Sequence, residues 1–143
     1  MIITLSWPTP KEFYERFKDD PEAAQRSAYK LGREVGMMLK QKTNINRDDL
    51  DAVAEILNAA MNAMRSEPSA RVENGRIVKR DRGFCVIMRS ALTLNLPWAW
   101  LDANYAWPWL EGIVSTVRPD MKMSVLTSRS KGDQVCTHIF EAI

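Results

Sequence analysis

Cys136, His138 and Phe140 alternate near the end of the chain, so in a strand their three side chains leave the same face. A thiol and an imidazole on one face can work as nucleophile and base, the imidazole stabilising the thiolate. Neighbours two apart on a strand stand roughly 7 Å apart at Cα, so a residue from another element is expected to complete any pair, with Cys85 the candidate. The alternative is a buried, small apolar Cys136 beside a core His138 that bonds to backbone. Cys85 itself follows Gly83-Phe84 and starts a helix. There the positive end of the helix dipole lowers a thiol pKa, and Arg82 and Arg89 are close in sequence. The competing reading is plain packing beside Phe84 and Met88.

Four of the five tryptophans lie between Asn95 and Trp109, together with an acid, Asp102, and a phenol, Tyr105. That much flat apolar surface seals a core, meets a second subunit, or walls a pocket for a small apolar ligand. Asp102 and Tyr105 share a helix face with Trp98 and Trp109. A carboxylate among indoles has a raised pKa unless a cation pairs with it; it can serve as a general acid or orient His138. An ion pair with an arginine is the other reading. Trp98, Trp100, Trp107 and Trp109 cannot all point one way, so two are expected to line a pocket and two to meet a subunit or the N-terminal helices.

These groups need elements to hold them. Thr9-Pro10-Lys11-Glu12 carries a hydroxyl cap, a proline at the first turn and a carboxylate at the third position, all helix-start signals. Asp20-Pro21-Glu22 repeats them and opens a longer helix with an apolar stripe of Ala24, Ala28, Leu31, Val35, Met38 and Leu39,. Gly32 and Gly36 lie one turn apart on it; each costs about 1 kcal/mol relative to alanine, which implies close approach of another backbone. Asn46-Arg47-Asp48-Asp49 starts a third helix, with Leu50, Val53, Ala54, Leu57, Ala60, Met61 and Met64 as its apolar face, and Glu67-Pro68-Ser69 stops it. Ala70–Glu73, Asn74-Gly75 and Arg76–Lys79 read as a hairpin on a two-residue turn. Helix is expected from Phe84 to Leu94. The tryptophan segment follows from Pro97, with a kink or restart at Pro108 and helix again to about Val117. Met121–Ser128 and Gln134–Ala142 are expected strands around Ser130-Lys131-Gly132-Asp133. The class is α+β: a helical N-terminal layer packed on a small, mainly antiparallel sheet, forming one domain over residues 1–143.

The 143 residues suffice for a sizeable core without metal or disulfide staples, and net charge is only +2,. Acids and bases also balance within the first half, which argues against a nucleic-acid tail. Arg71, Arg76, Lys79, Arg80 and Arg82 cluster around the hairpin; the patch reads as solvated surface, with anion steering the alternative. Aromatics follow that cluster and are not interleaved with it, unlike a nucleic-acid platform. No run approaches the roughly 20 apolar residues of a membrane span. Met1 to Pro8 lacks the basic region and cleavage site of a signal peptide. The two cysteines are therefore expected as reduced thiols in the cytoplasm. With one histidine and two cysteines in the chain, a tetrahedral zinc site would need a carboxylate as well; neither metal nor cofactor is expected.

Tyr29-Lys30-Leu31-Gly32-Arg33-Glu34-Val35-Gly36 resembles the G-R-E-x-G helix of 4-vinyl reductase-type domains. Ser128 to Phe140, with Gly132-Asp133-Gln134-Val135-Cys136, resembles their last hairpin, in which G-D-x-x-C precedes alternating aromatics. Phe84-Cys85-Val86 and the aromatic helix after it resemble the 2-amino-thiazoline-4-carboxylic acid hydrolase family, where a cysteine-led helix, a later helix with an acid and the same ending recur in order. The likeness spans most of residues 24–143. It implies a compact α+β fold, often dimeric, around a pocket for a small and often hydrophobic ligand. Some relatives are sensory modules beside a DNA-binding domain and some are suspected hydrolases; within these 143 residues no such output domain is expected. Ser128 stands at a position where metal-binding members carry a cysteine, and His138 where an aromatic is commoner. Trp100 stands where the hydrolase-like pattern has a cysteine before the acid, and Val86 where it has a proline.

Three expectations follow. The first is a small-molecule-binding domain whose pocket uses Trp98, Trp100, Tyr105, Trp109, Met88, Phe140 and Arg89. The second is a hydrolase of a small cyclic amide-like or thiazoline-carboxylate-like substrate, with Cys85 or Cys136 as nucleophile and His138 or Asp102 as acid or base. The third is a structural subunit whose tryptophans form an interface. In each case a homodimer is expected, with neither nucleic acid nor membrane as partner.

Overall fold

The computed structural model describes residues 8–143. The expectation about a leader falls mostly on residues 1–7, outside the described residues. Helix α1 (Pro10–Phe17) starts where Thr9 accepts a hydrogen bond from the Glu12 N–H at 3.1 Å. Helix α2 (Pro21–Thr43) starts where Asp20 accepts from the Ala23 N–H, and it stops at Asn44 in the left-handed conformation,. Helix α3 (Leu50–Ala63) is capped by Asp49, so it begins three residues later than the first capping signal. The helical layer buries Phe13, Ala24, Ala28, Val35, Leu39, Val53, Ile56 and Leu57.

Strands β1 (Ala70–Glu73) and β2 (Arg76–Asp81) form the expected hairpin, with Asn74 and Gly75 both at positive φ, as a tight two-residue turn demands. Strands β3 (Met121–Thr127) and β4 (Cys136–Ala142) complete a four-stranded antiparallel sheet in the order β1-β2-β4-β3. The connection between them is a short 3-10 turn, Arg129–Lys131, closed by Gly132. Register decides what the sheet shows its neighbours: Ile77 faces Phe140, Lys79 faces His138, and Asp81 faces Cys136. All six belong to one face.

Helix α4 (Val86–Leu94) begins after Cys85. The tryptophan segment is a single helical rod built from α5 (Trp98–Leu101), a π-helical turn (Asp102–Ala106) and α6 (Trp107–Ser115). Pro108 explains the widening. It offers no N–H to the carbonyl one turn back and its ring crowds that carbonyl. The rod adds a residue just before it, so the Trp107 N–H reaches the Asp102 carbonyl,. Asn104 donates from its side chain to the Trp100 carbonyl at 3.0 Å and accepts from Gln25 of α2 at 2.8 Å. The expected kink is thus a local change of helix pitch.

Helices α2 and α6 meet backbone to backbone. A Cβ on Gly32 would lie 2.1 Å from the Trp109 carbonyl oxygen, and one on Gly112 would lie 2.2 Å from the Tyr29 carbonyl oxygen. Gly36 likewise faces Thr116 and the Ile113 carbonyl. No helix of the described residues is long and apolar enough to cross a membrane. Gly32→Ala and Gly112→Ala should each destabilise by about 2 kcal/mol or more, since backbone must move to admit a methyl. Gly83→Ala, with nothing within 4 Å of the added carbon, should change little. Urea unfolding of the three variants measures the contrast.

Candidate functional site

The helical rod, α4, the start of α1 and the inner face of the sheet enclose a cavity of about 290 Å³. Trp98, Trp107 and Trp109 wall it, with Phe84, Val86, Ile87, Met61, Met64 and Leu110. Its polar lining is Cys85, Asp102, Lys79, Asp81, Arg129, Cys136 and His138, with Ser66, Thr9 and Tyr105. The π-helical turn shifts the phase of the rod, which helps Trp107 share the cavity with Trp98 and Trp109.

Of the residues singled out from sequence, Cys85, Cys136, His138, Asp102, Trp98, Tyr105 and Trp109 line this cavity. Trp100, Met88, Phe140 and Arg89 do not. Trp100 packs edge-on against Tyr14 at 5.1 Å and lies 6.2 Å from Phe13, tying the rod to α1. Phe140 is 1 % exposed within the core. Arg89 is exposed on α4. The split among the four indoles is therefore three on the cavity and one on the N-terminal helices.

Tyr105 stacks on Phe13 with centroids 4.0 Å apart, and its hydroxyl donates to the Pro8 carbonyl at 2.6 Å. Burial and, secondarily, the charge of Glu12 push its pKa up. The phenol stays protonated and fastens the chain entering α1 to the cavity wall. Burial also raises the pKa of Asp102; the hydroxyls of Ser130 and Ser128, and the charges of Arg129 and Lys131, pull it the other way. The Ser128 hydroxyl stands 3.3 Å from Asp102 Oδ2. Asp102 makes no ion pair among the described residues, and it does not hold His138.

Asp81 takes that place, with Oδ2 at 3.6 Å from His138 Nδ1, beyond hydrogen-bonding distance,. His138 Nδ1 is buried without a partner among the described residues. Burial, followed by the charge of Lys79, lowers the His138 pKa to about 4, with Asp81 opposing. The imidazole is therefore neutral at pH 7.

Cys85 corrects the expectation of an activated thiol. Burial pushes its pKa up, Asp102 adds to that, and the Met88 and Ile87 N–H groups and the Arg129 charge offset only part. Position at a helix start is outweighed because the thiol leaves water for an apolar cavity. Cys136 accepts a hydrogen bond from the Arg129 backbone N–H at 3.3 Å. Both cysteines are free thiols. No group of three His, Cys, Asp or Glu among the described residues is arranged to hold a metal ion.

Three charged cavity residues, Lys79, Asp81 and Arg129, escaped the sequence reading. Lys79, expected on a solvated hairpin surface, is 2 % exposed and forms an ion pair with Asp81. Arg129 donates through Nη1 to the Arg82 and Gly83 carbonyls, both at 2.9 Å, which locks the turn before β4 against the approach to α4. The alternation Ile77-x-Lys79-x-Asp81 was legible as one strand face. Only the pairing of β2 with β4 places that face against Cys136 and His138.

No family model matches the chain, and no curated protein matches it.

Because folding depresses the His138 pKa from 6.5 to about 4, native protein binds fewer protons than unfolded chain between those values. Stability is fully present above pH 6.5 and falls as pH drops towards 4, by about 3 kcal/mol for this residue. Raised Asp102 acts in the opposite sense and blunts the slope. Urea unfolding from pH 7 to pH 4.5 should show the loss, and His138→Gln should flatten it.

Proposed function

We propose that this chain is a small-molecule-binding domain whose cavity takes a small apolar or aromatic ligand. One observation carries the reading: three indoles and several aliphatic side chains wall a partly open pocket of about 290 Å³, at the small end of the range for ligand pockets. An apolar body buried there gains roughly 25 cal/mol per Å² removed from water, and the indole faces add favourable ring contacts. The few polar groups supply orientation. The resemblance to 4-vinyl reductase-type domains supports the same reading. The homodimer and the cytoplasmic setting expected from that likeness and from the reduced thiols form part of the proposal.

The hydrolase reading has less support. A half-buried Cys85 with a raised pKa is a poor nucleophile at pH 7,. Neutral His138 keeps the capacity of a base, and it shares a strand face with Cys136. Alkylation at pH 7 is the discriminating measurement: Cys85 should react more slowly than a small free thiol, and a rate above it would favour covalent catalysis.

Benzyl alcohol is a suitable neutral probe. Tryptophan fluorescence of the intact chain should change saturably on its addition. Ala106 also lines the cavity, so Ala106→Phe places a ring in it and should weaken the response on the order of tenfold or more, with circular dichroism unchanged. Trp100→Phe, outside the cavity, should leave the affinity as it is. A folded protein that responds to no small aromatic would favour a structural role. Sedimentation across concentrations tests the dimer, a single monomeric species counting against it.

A further inference from the structure

Lys79 is 2 % exposed, lines the aromatic cavity, and its ammonium makes its one hydrogen bond among the described residues to Asp81. A lysine is almost never fully buried unless paired, and this pair sits on a ligand-sized hollow. Directly across the strands stands His138, with Nδ1 buried and unpartnered. Amine, carboxylate and imidazole thus converge on one wall while indoles form others. We propose that Lys79 is a nucleophile that captures a small aromatic or apolar aldehyde in this cavity as a protonated imine, with Asp81 as proton acceptor and counter-ion.

The step balances. Asp81 takes a proton from the Lys79 ammonium, and the freed Nζ lone pair forms a bond to the carbonyl carbon while the C=O π pair moves to oxygen. Asp81 returns its proton to that oxygen, giving the carbinolamine, and removes a second proton from nitrogen. It delivers this proton as the C–O bond breaks, and the nitrogen lone pair closes the C=N bond. The sum is ammonium plus aldehyde giving protonated imine plus one water, with no oxidant or reductant. Charge before and after is the same, one cation beside Asp81, so capture creates no new unpaired buried charge. The largely apolar walls also disfavour the water that would hydrolyse the imine,. Neutral His138 adds no second cation against the lysine and can hold a proton in transit.

The proposal rests on the cavity being the ligand site, and benzyl alcohol separates the two claims. Intact protein is incubated with benzaldehyde and sodium cyanoborohydride, and the adduct is located by peptide mapping. One benzyl group per chain on Lys79, formed saturably and suppressed by benzyl alcohol, is the expected result. Lys79→Met should abolish it, Lys122→Arg should leave it unchanged, and Asp81→Asn should slow it on the order of 10²-fold. The Asn variant keeps the amine, so it remains informative should Lys79→Met fail to fold. Labelling spread over exposed lysines, with Lys79 no faster than Lys122, overturns the proposal. Saturable benzyl alcohol binding with Lys79 unmodified overturns it too, and leaves the pocket standing. Failure of both probes on folded protein removes both.

Discussion

Gly32 and Gly112 touch with no side chain between them, and the placing of the cavity groups carried by the helical rod follows from that contact. With backbones this close, α6 has little freedom to slide or rotate on α2. The face of the rod that carries Trp98, Asp102, Tyr105 and Trp109 is then held against the sheet and α4. Replacing close backbone contact by side chains would lift the rod away and open the hollow. The cost of two helix-interior glycines, about 1 kcal/mol each, is offset by the burial that this approach permits, including Leu101, Leu110, Ile113 and Val114.

The second determinant is strand register. Because side chains alternate, a slip of one residue between β2 and β4 would send Lys79 or His138 to the opposite face. As paired, Asp81 meets Cys136 and Lys79 meets His138. A chain that was only building a core would place apolar residues at such positions, as it does one step along, where Ile77 meets Phe140. Substituting well-packed apolar groups for a buried ion pair is often neutral or stabilising. The polar end of the cavity therefore has an energetic cost without an evident structural return.

Much of this was legible in the chain. The capped helix starts at Thr9 and Asp20, the Asn74-Gly75 turn and the glycine pair on α2 are local signals with local causes, and the α+β arrangement follows from them. So was the gathering of indoles with sulfur and imidazole, since chemistry-rich residues concentrate in few segments. What could not be read depends on relations between segments. Lys79 looked like surface because its burial is decided by β4, far away in sequence. The Cys85 thiol looked activated because dipole position is visible in a sequence and desolvation is not. Trp107 and Trp100 exchanged their expected places: Trp100, two residues from Trp98 on regular helix, leaves the opposite side of the rod, and the pitch change before Pro108 shifts the phase of Trp107,.

The sheet also has an outer border at β3, where Leu126 is 71 % exposed and the described residues supply no neighbouring strand. A bare strand margin with a solvent-facing leucine invites edge-to-edge pairing of copies into fibrous aggregates. Two features of the same strand act against it. Lys122 stands exposed near its start, and the register breaks between Val125 and Thr127, so a straight incoming strand meets a like charge at one end and a twist at the other. One irregular residue spacing at this margin thus opposes pairing between copies of the chain,.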